Sequence, residues 1–203
     1  MTPIQQEWRE ALGRYEAGRR RDPANSYAHP SNHYTQRFAR FILPHLFGKI
    51  LDVGCGPTAH PYYLRGVAAD RLVGIDPLPP IEHRQFASAY AVGEALPFCD
   101  GVFDTVICAT VLDHCSDPRK VVQEMSRVSK AGGKLLIVET AGPDGAEPDE
   151  HHPWRFTRTQ LMGLVSRYYR LERMEWHGIN DGLRVGYMNH YGCWEKRSAL
   201  DDA

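Results

Sequence analysis

The chain has 203 residues, enough for one domain with a substantial core and short of two ordinary ones. A hydrophobic content of 42%, a charged content of 24% and a formal net charge of −1 describe an ordinary globular protein, with no global field to favour nucleic acid or an anionic membrane. No apolar run approaches the roughly 20 residues of a membrane span, MTPIQQEWRE has no signal-peptide core, and five cysteines without a C-x-x-C pair read as reduced thiols, so a cytoplasmic protein is expected.

Residues 3 to 21 have the spacing of an amphipathic helix, with Ile4, Trp8, Leu12 and Tyr15 on one face. Arg19-Arg20-Arg21 reads as a solvated helix end, and Asp22-Pro23 breaks the helix. After a loop over 24–30, a second helix is predicted from about Asn32 to Leu46, with Tyr34, Phe38, Phe41, Ile42 and His45 on one side; Pro44 can end it early.

The stretch from Lys49 to Pro77 carries the strongest pattern. A short apolar run, Ile50 to Val53, leads into the turn Gly54-Cys55-Gly56, then a predicted helix, a second run from Leu72 to Ile75, and an acid, Asp76. This is the order of a nucleotide-binding βαβ unit, in which glycines let the backbone approach a ligand and the acid accepts hydrogen bonds from ribose hydroxyls. Asp76 lies 20 residues after Gly56, a suitable spacing. A dinucleotide site needs a third glycine, absent here where Thr58, Ala59 and His60 follow. The carboxylate of Asp52 before the turn would repel a pyrophosphate but suits a ligand with a cationic amino group. An NAD-type oxidoreductase is disfavoured on both counts. The stretch resembles motif I, D-x-G-x-G-x-G, and the following acidic motif of class I S-adenosylmethionine (SAM)-dependent methyltransferases. Asp52, Gly54 and Gly56 match that motif, and Thr58 stands at its last glycine.

After an irregular PLPPIEHRQF, a short strand is predicted within Phe86 to Val92. GEALPFCDGVFD then resembles a second block of the same family, with Glu94, Leu96, Pro97 and Phe98 matching its E-x-L-P-F core. Relatives place an Asp two residues before that Glu, against the adenine amino group. Val92 stands here, so Glu94, or the backbone of Gly93 and its neighbours, is expected to read the adenine edge, with Leu96 and Phe98 packed on its face. Val102 to Ala109 is a near-continuous apolar run, as a parallel strand buried on both faces requires. Ligands sit at the carboxyl ends of such strands, so Thr110, Val111, Asp113 and His114 are expected near the transferring methyl.

Asp117-Pro118 caps a helix with Val121, Val122, Met125 and Val128 inward, stopped by glycines at 130–133; Lys134 to Glu139 is the fifth strand. Residues 140–152 read as a mobile loop. Thr157 and Gln160 form a capping box for a helix with Leu161, Leu164, Val165 and Tyr168 inward. Tyr169 to His177 is the sixth strand, 178–182 a turn, and Leu183 to Trp194 the last strand.

The resemblance implies an α/β fold: a Rossmann-like, doubly wound sheet of seven strands, the last antiparallel, with helices on both faces. Residues 1–203 would be one methyltransferase domain, the helices of 1–46 capping a SAM-binding core over 47–195. It implies SAM as cofactor, leaving S-adenosylhomocysteine, with Asp52, Gly54, Cys55, Gly56, Asp76, Pro77, Gly93, Glu94, Ala95, Thr110 and Val111 around it. The acceptor would be read by the N-terminal helices, with Tyr27, His29, His33 and Tyr34 as candidates, and by the 140–156 loop. A small molecule methylated on O, N or C is expected, with no nucleic-acid or membrane partner, by a monomer or homodimer. The alternative is a non-catalytic SAM-binding regulator or partner subunit.

Methyl transfer needs alignment more than a nucleophilic side chain, and a hydroxyl acceptor also needs a base. His114, His151 and His152 are the candidates, His114 first because the motif places it after strand four. Asp113, His114, Cys115, His151 and His152 could converge on a divalent ion. Metal-dependent relatives use mainly carboxylates, and no H-x-x-x-H or paired-Cys spacing is present, so no metal is expected.

Overall fold

Register along the sheet decides where the loops meet. In the computed structural model, which describes residues 3–22, 24, 26–80, 82–149, 152–179 and 185–198, seven strands lie in one sheet in the order β3-β2-β1-β4-β5-β7-β6. These are β1 (Ile50–Val53), β2 (Leu72–Asp76), β3 (Ala87–Tyr90), β4 (Phe103–Ala109), β5 (Ser129–Ala141), β6 (Tyr169–Gly178) and β7 (Met188–Lys196). Strands β1 to β5 run parallel; β7 enters antiparallel between β5 and β6. Val53 pairs with both Ile75 and Cys108, which brings Gly54, Asp76 and Ala109 level at one sheet edge. There the chain leaves β1 outward to β2 and returns to β4, the switch point at which open α/β sheets hold ligands.

Among the described residues there are four α-helices, α1 (Pro3–Arg21), α2 (His33–Ile42), α3 (Pro118–Val128) and α4 (Arg158–Ser166), of which the last three pack on the sheet. On one face, Val121, Val122 and Met125 of α3 and Leu161 and Val165 of α4 pack with Val53, Val106, Cys108, Leu135 and Trp194. On the other, Phe38, Phe41 and Ile42 of α2 pack with Ile50, Ile107, Leu136, Tyr191 and Cys193. Alternate residues of β4 thus enter different cores, which is why the strand reads as a continuous apolar run. Asp117 caps α3 through Arg119 N and Lys120 N, and Thr157 with Gln160 makes the capping box of α4. Helix α2 stops at Ile42, where Leu43-Pro44-His45 tightens to a 3₁₀ turn.

Three expected elements differ: the last strand, expected from Leu183, begins at Met188, and the other two concern helices. No α-helix follows the glycine turn: residues 57–71 form only the 3₁₀ turns Tyr62–Leu64 and Ala69–Arg71. Pro57 and Pro61 remove backbone donors and Gly66 adds a break at φ +87°, so no full α-helical turn is sustained. Helix α3 ends at Val128, before the glycines, because Ser129 turns extended; its Oγ donates to Met125 O at 2.7 Å and lies 3.1 Å from the Tyr169 hydroxyl. Strand β5 starts there, and Gly132, at φ +71°, falls inside it. The turn expected over 178–182 lies mostly outside the described residues, as do the side chains of Ile4 and Trp8. No described helix is long and apolar enough to cross a membrane.

His190 on β7 is fully buried, its ring 4.7 Å from that of Trp176, and neither nitrogen has a hydrogen-bond partner among the described residues. Burial, with Arg158 nearby, pushes its imidazole down to about 4. Its folded pKa is therefore below its unfolded one. The stabilisation from keeping it neutral is complete above about pH 6.5 and is lost as pH falls towards 4, up to about 3 kcal/mol. Urea titrations at pH 7 and pH 4.5 are expected to show wild type losing more stability on acidification than His190→Phe; equal losses refute the assignment.

Candidate active site

At the carboxyl ends of β1, β2 and β4 lies a cavity walled by Gly54, Gly56, Asp76, Pro77, Gly93, Glu94, Thr110, Val111 and His114. Leu12 and Tyr15 of α1 and Ser26 to Ala28 close it from above. Gly54 and Gly56 adopt φ +73° and +71°, and a Cβ on them would lie 2.4 Å from Val111 Cγ2 and 2.8 Å from Ala28 Cβ. Both glycines are therefore required by conformation and by space. The turn is held from two sides. Asp76 Oδ2 accepts from Gly56 N and its Oδ1 from Leu78 N, each at 2.9 Å. Arg84 donates to the carbonyls of Gly56 and Thr58. Thr58, at the motif's last glycine, has no positive φ, so its Cβ costs the turn nothing.

Not every expected residue reaches this wall. Asp52 is fully buried behind it, and the Tyr63 hydroxyl donates to its carboxylate, 2.8 Å from Oδ2 and 3.0 Å from Oδ1. Tyr63, not Asp52, lines the cavity. Burial raises the Asp52 carboxyl to about 7, against the hydrogen bond from Tyr63 and the charge of Arg84. Cys55 turns into the α2 core and Ala95 is exposed outside the cavity. Leu96 joins the α3 core, and Phe98 packs edge-on to Phe103 at 5.0 Å, so neither lines the cavity; Leu78 and Val92 do.

Glu94 braces the loop after β4: one oxygen accepts from Ser116 N (2.7 Å), Ser116 Oγ (2.8 Å) and Asp117 N (3.2 Å). Within that loop Thr110 has φ +52°, the only positive φ among the described non-glycine residues. A β-branched residue rarely adopts this conformation, and such strain gathers at functional sites.

A second cleft adjoins the cavity, lined by Arg14, Tyr34, Asp113, His152, Tyr187 and Asn189 among others. Tyr15, Ser26, Tyr27, Thr110 and His114 border both spaces. The His114 ring lies between those of Tyr15 (4.6 Å) and His152 (4.7 Å). His152 arrives there because Trp154 docks on the β4 loop, Nε1 donating to Cys115 O at 2.9 Å. Asp113 faces both imidazoles, Oδ1 at 3.6 Å from His114 Nε2 and Oδ2 at 4.0 Å from His152 Nε2. Burial pushes the His152 imidazole below its ordinary value, against the pull of Asp113. Behind Asp113, fully buried Glu139 accepts from Leu112 N (2.9 Å) and Thr140 N (3.1 Å). Burial and then the neighbouring Asp113 carboxylate drive Glu139 well above the usual carboxylate range.

His151 lies outside the described residues. Of the N-terminal candidates, Tyr27 and Tyr34 line the cleft, whereas His29 and His33 do not: His29 Nδ1 accepts from Ser31 N at 3.2 Å, and His33 is exposed against Tyr34. Sequence reasoning missed Tyr63, Glu139 and Asp149, whose Oδ1 lies 2.7 Å from His152 Nδ1. Only an acid inside an otherwise apolar strand signals Glu139, and nothing local signals the others.

Residues 51–137 match a family described as a methyltransferase domain. The uncharacterized methyltransferase YcgJ of Bacillus subtilis is 30% identical over 170 residues, 73% of this chain and 64% of that one. A tRNA U34 carboxymethyltransferase of Saccharophagus degradans is 31% identical over 112 residues, 47% of this chain and 34% of that one. The chain thus spans about one third to two thirds of the length of these curated relatives. Among solved structures, the 1,6-didemethyltoxoflavin-N1-methyltransferase of Burkholderia thailandensis, crystallised with 1,6-didemethyltoxoflavin and S-adenosylhomocysteine, shares the fold with a TM-score of 0.73 at 13% identity, over 98% of this chain and 92% of that one.

Proposed function

We propose that this chain is a class I SAM-dependent methyltransferase that transfers the methyl group of SAM to an O, N or C atom of a small-molecule acceptor, a reading supported by the methyltransferase-domain match over residues 51–137. The observation that carries the reading is Asp76. It ends β2 on the cavity wall, held beside the glycine turn by Gly56 N and Leu78 N, where an acid at a strand end accepts from both hydroxyls of a ribose. The bare backbone of Gly54 and Gly56 leaves room for the methionine end, and the Tyr63 hydroxyl, backed by Asp52, meets its polar groups. Leu78, Val92 and Gly93 flank the adenine, with Glu94 holding the loop beside it.

The methyl would cross where cavity and cleft share Tyr15, Tyr27, Thr110 and His114. Transfer is an in-line displacement: the acceptor atom bonds to the methyl carbon, the carbon–sulfur bond breaks, and its electron pair returns to sulfur. Alignment of this kind can supply roughly 7–11 kcal/mol. The acceptor proton is given up at the Asp113–His114–His152 cluster, which faces that point; His114 leads because it borders both spaces. A small acceptor is favoured over nucleic acid because α1 and Ser26 to Ala28 lie over the cavity and the net charge is −1. We place the protein in the cytoplasm because its five cysteines include no C-x-x-C pair and no disulfide framework in their spacing.

Calorimetric titration with S-adenosylhomocysteine, with NADH as control, tests the cofactor. Micromolar binding of S-adenosylhomocysteine alone is expected; binding of NADH alone, or of neither, overturns the reading.

A further inference from the structure

The cluster that ends the cofactor cavity has the make-up of a cation site. Asp113, His114 and His152 each offer one ligand atom, and these atoms lie within 4.8 Å of one another. One carboxylate and two imidazoles form a mixed oxygen–nitrogen set that suits zinc and its first-row neighbours better than magnesium or calcium. Two further observations point the same way. Asp113 Oδ1 is buried with no hydrogen-bond partner among the described residues, although it faces the His114 imidazole at 3.6 Å. A buried carboxylate oxygen left so is costly unless a cation or a donor fills the gap. His152 has its other nitrogen, Nδ1, 2.7 Å from Asp149 Oδ1. Arg155 Nη2 also lies 2.9 Å from that nitrogen; with Nδ1 carrying its proton towards Asp149, Nε2 is left on the Asp113 side as an acceptor, the arrangement that metal-bound histidines commonly show.

We propose that Asp113, His114 and His152 bind one divalent cation of the zinc class at the seam between the cofactor cavity and the acceptor cleft, with Asp149 orienting His152. The site reverses the sequence expectation of a metal-free centre. Cys115 is not part of it, because its thiol is buried and donates to Leu112 O. Three protein ligands leave a position open towards the cleft. The acceptor class that fits is therefore one with an oxygen or nitrogen donor beside the methylated atom. With the cation bound, His114 and His152 hold the metal in place of taking the proton themselves: a hydroxyl on the open position loses its proton more readily, to cleft water, and the resulting oxyanion bonds to the methyl carbon as the carbon–sulfur bond breaks. This last role rests on the proposed function; the site itself rests on geometry alone.

Full-length protein dialysed against chelator is titrated with Zn²⁺ by calorimetry and with Co²⁺ by visible absorption. Saturable binding of one equivalent is expected, lost in His152→Ala and in Asp113→Asn, kept in His83→Ala at an exposed histidine, and weakened roughly 10–100-fold in Asp149→Asn. If His152→Ala does not fold, as read by circular dichroism, His152→Gln replaces it. No saturable Zn²⁺ binding, or binding equal in wild type and the His152 and Asp113 variants, overturns the proposal. S-adenosylhomocysteine titrated into the same samples separates the two readings: its binding without zinc binding removes the metal site alone, and zinc binding without it removes the methyltransferase reading alone.

Discussion

Asp76→Ala is expected to weaken S-adenosylhomocysteine binding by about 1–3 kcal/mol, roughly 5- to 150-fold, because it removes charge-assisted hydrogen bonds to both ribose hydroxyls. The structure adds a second effect. Asp76 also accepts from Gly56 N and Leu78 N, so alanine leaves two buried donors without their partner and loosens the glycine turn. A fall in melting temperature should accompany the loss of affinity. Asp76→Asn separates the two effects: its single carbonyl oxygen can satisfy one of the backbone donors but offers no charge to the ribose. Calorimetry and thermal melts on both variants read them apart. Unchanged affinity in Asp76→Ala removes the ribose assignment.

His114→Ala is expected to lower turnover by about 10²–10⁴-fold while S-adenosylhomocysteine affinity stays within a few-fold of wild type. The separation follows from position. His114 borders the cavity only at its outer end, between Tyr15 and His152, whereas Asp76 and the glycine turn make the polar contacts deeper in. Initial rates with labelled SAM and a turned-over acceptor, beside calorimetry with S-adenosylhomocysteine, give both quantities. An unchanged rate moves the role to His152 or removes it from the cluster. A parallel loss of rate and affinity makes His114 a wall of the cofactor site instead.

Where the backbone itself carries the pattern, local reading and structure agree. Ile50–Val53, Leu72–Asp76 and Phe103–Ala109 are strands within a residue of their predicted bounds, since short β-branched runs between turn residues have few alternatives. The caps at Asp117 and Thr157 were equally legible, because a side chain meeting an amide two or three residues on is a local event. The expected helix after Gly56 was carried by the family pattern against the local chemistry, and Pro57, Pro61 and Gly66 prevailed.

Side-chain direction was harder. Asp52, Cys55, Leu96 and Phe98 lie where the motifs put them along the chain, yet all four turn away from the cavity. Motif spacing places a Cα; the side chain then goes where burial and partners take it, as Tyr63 takes Asp52.

The sequence alone therefore determined the individual strands, the glycine turn and the acid that follows it, because these depend on local conformation and a repeating apolar pattern; the seven-stranded sheet with its antiparallel strand followed from the family resemblance. Only the tertiary structure decided which side chains face one another across long separations: Tyr63 with Asp52, Glu139 behind Asp113, and His152 carried by Trp154 onto His114. Those pairings depend on strand register and on loops docking from distant parts of the chain, and no local propensity encodes either.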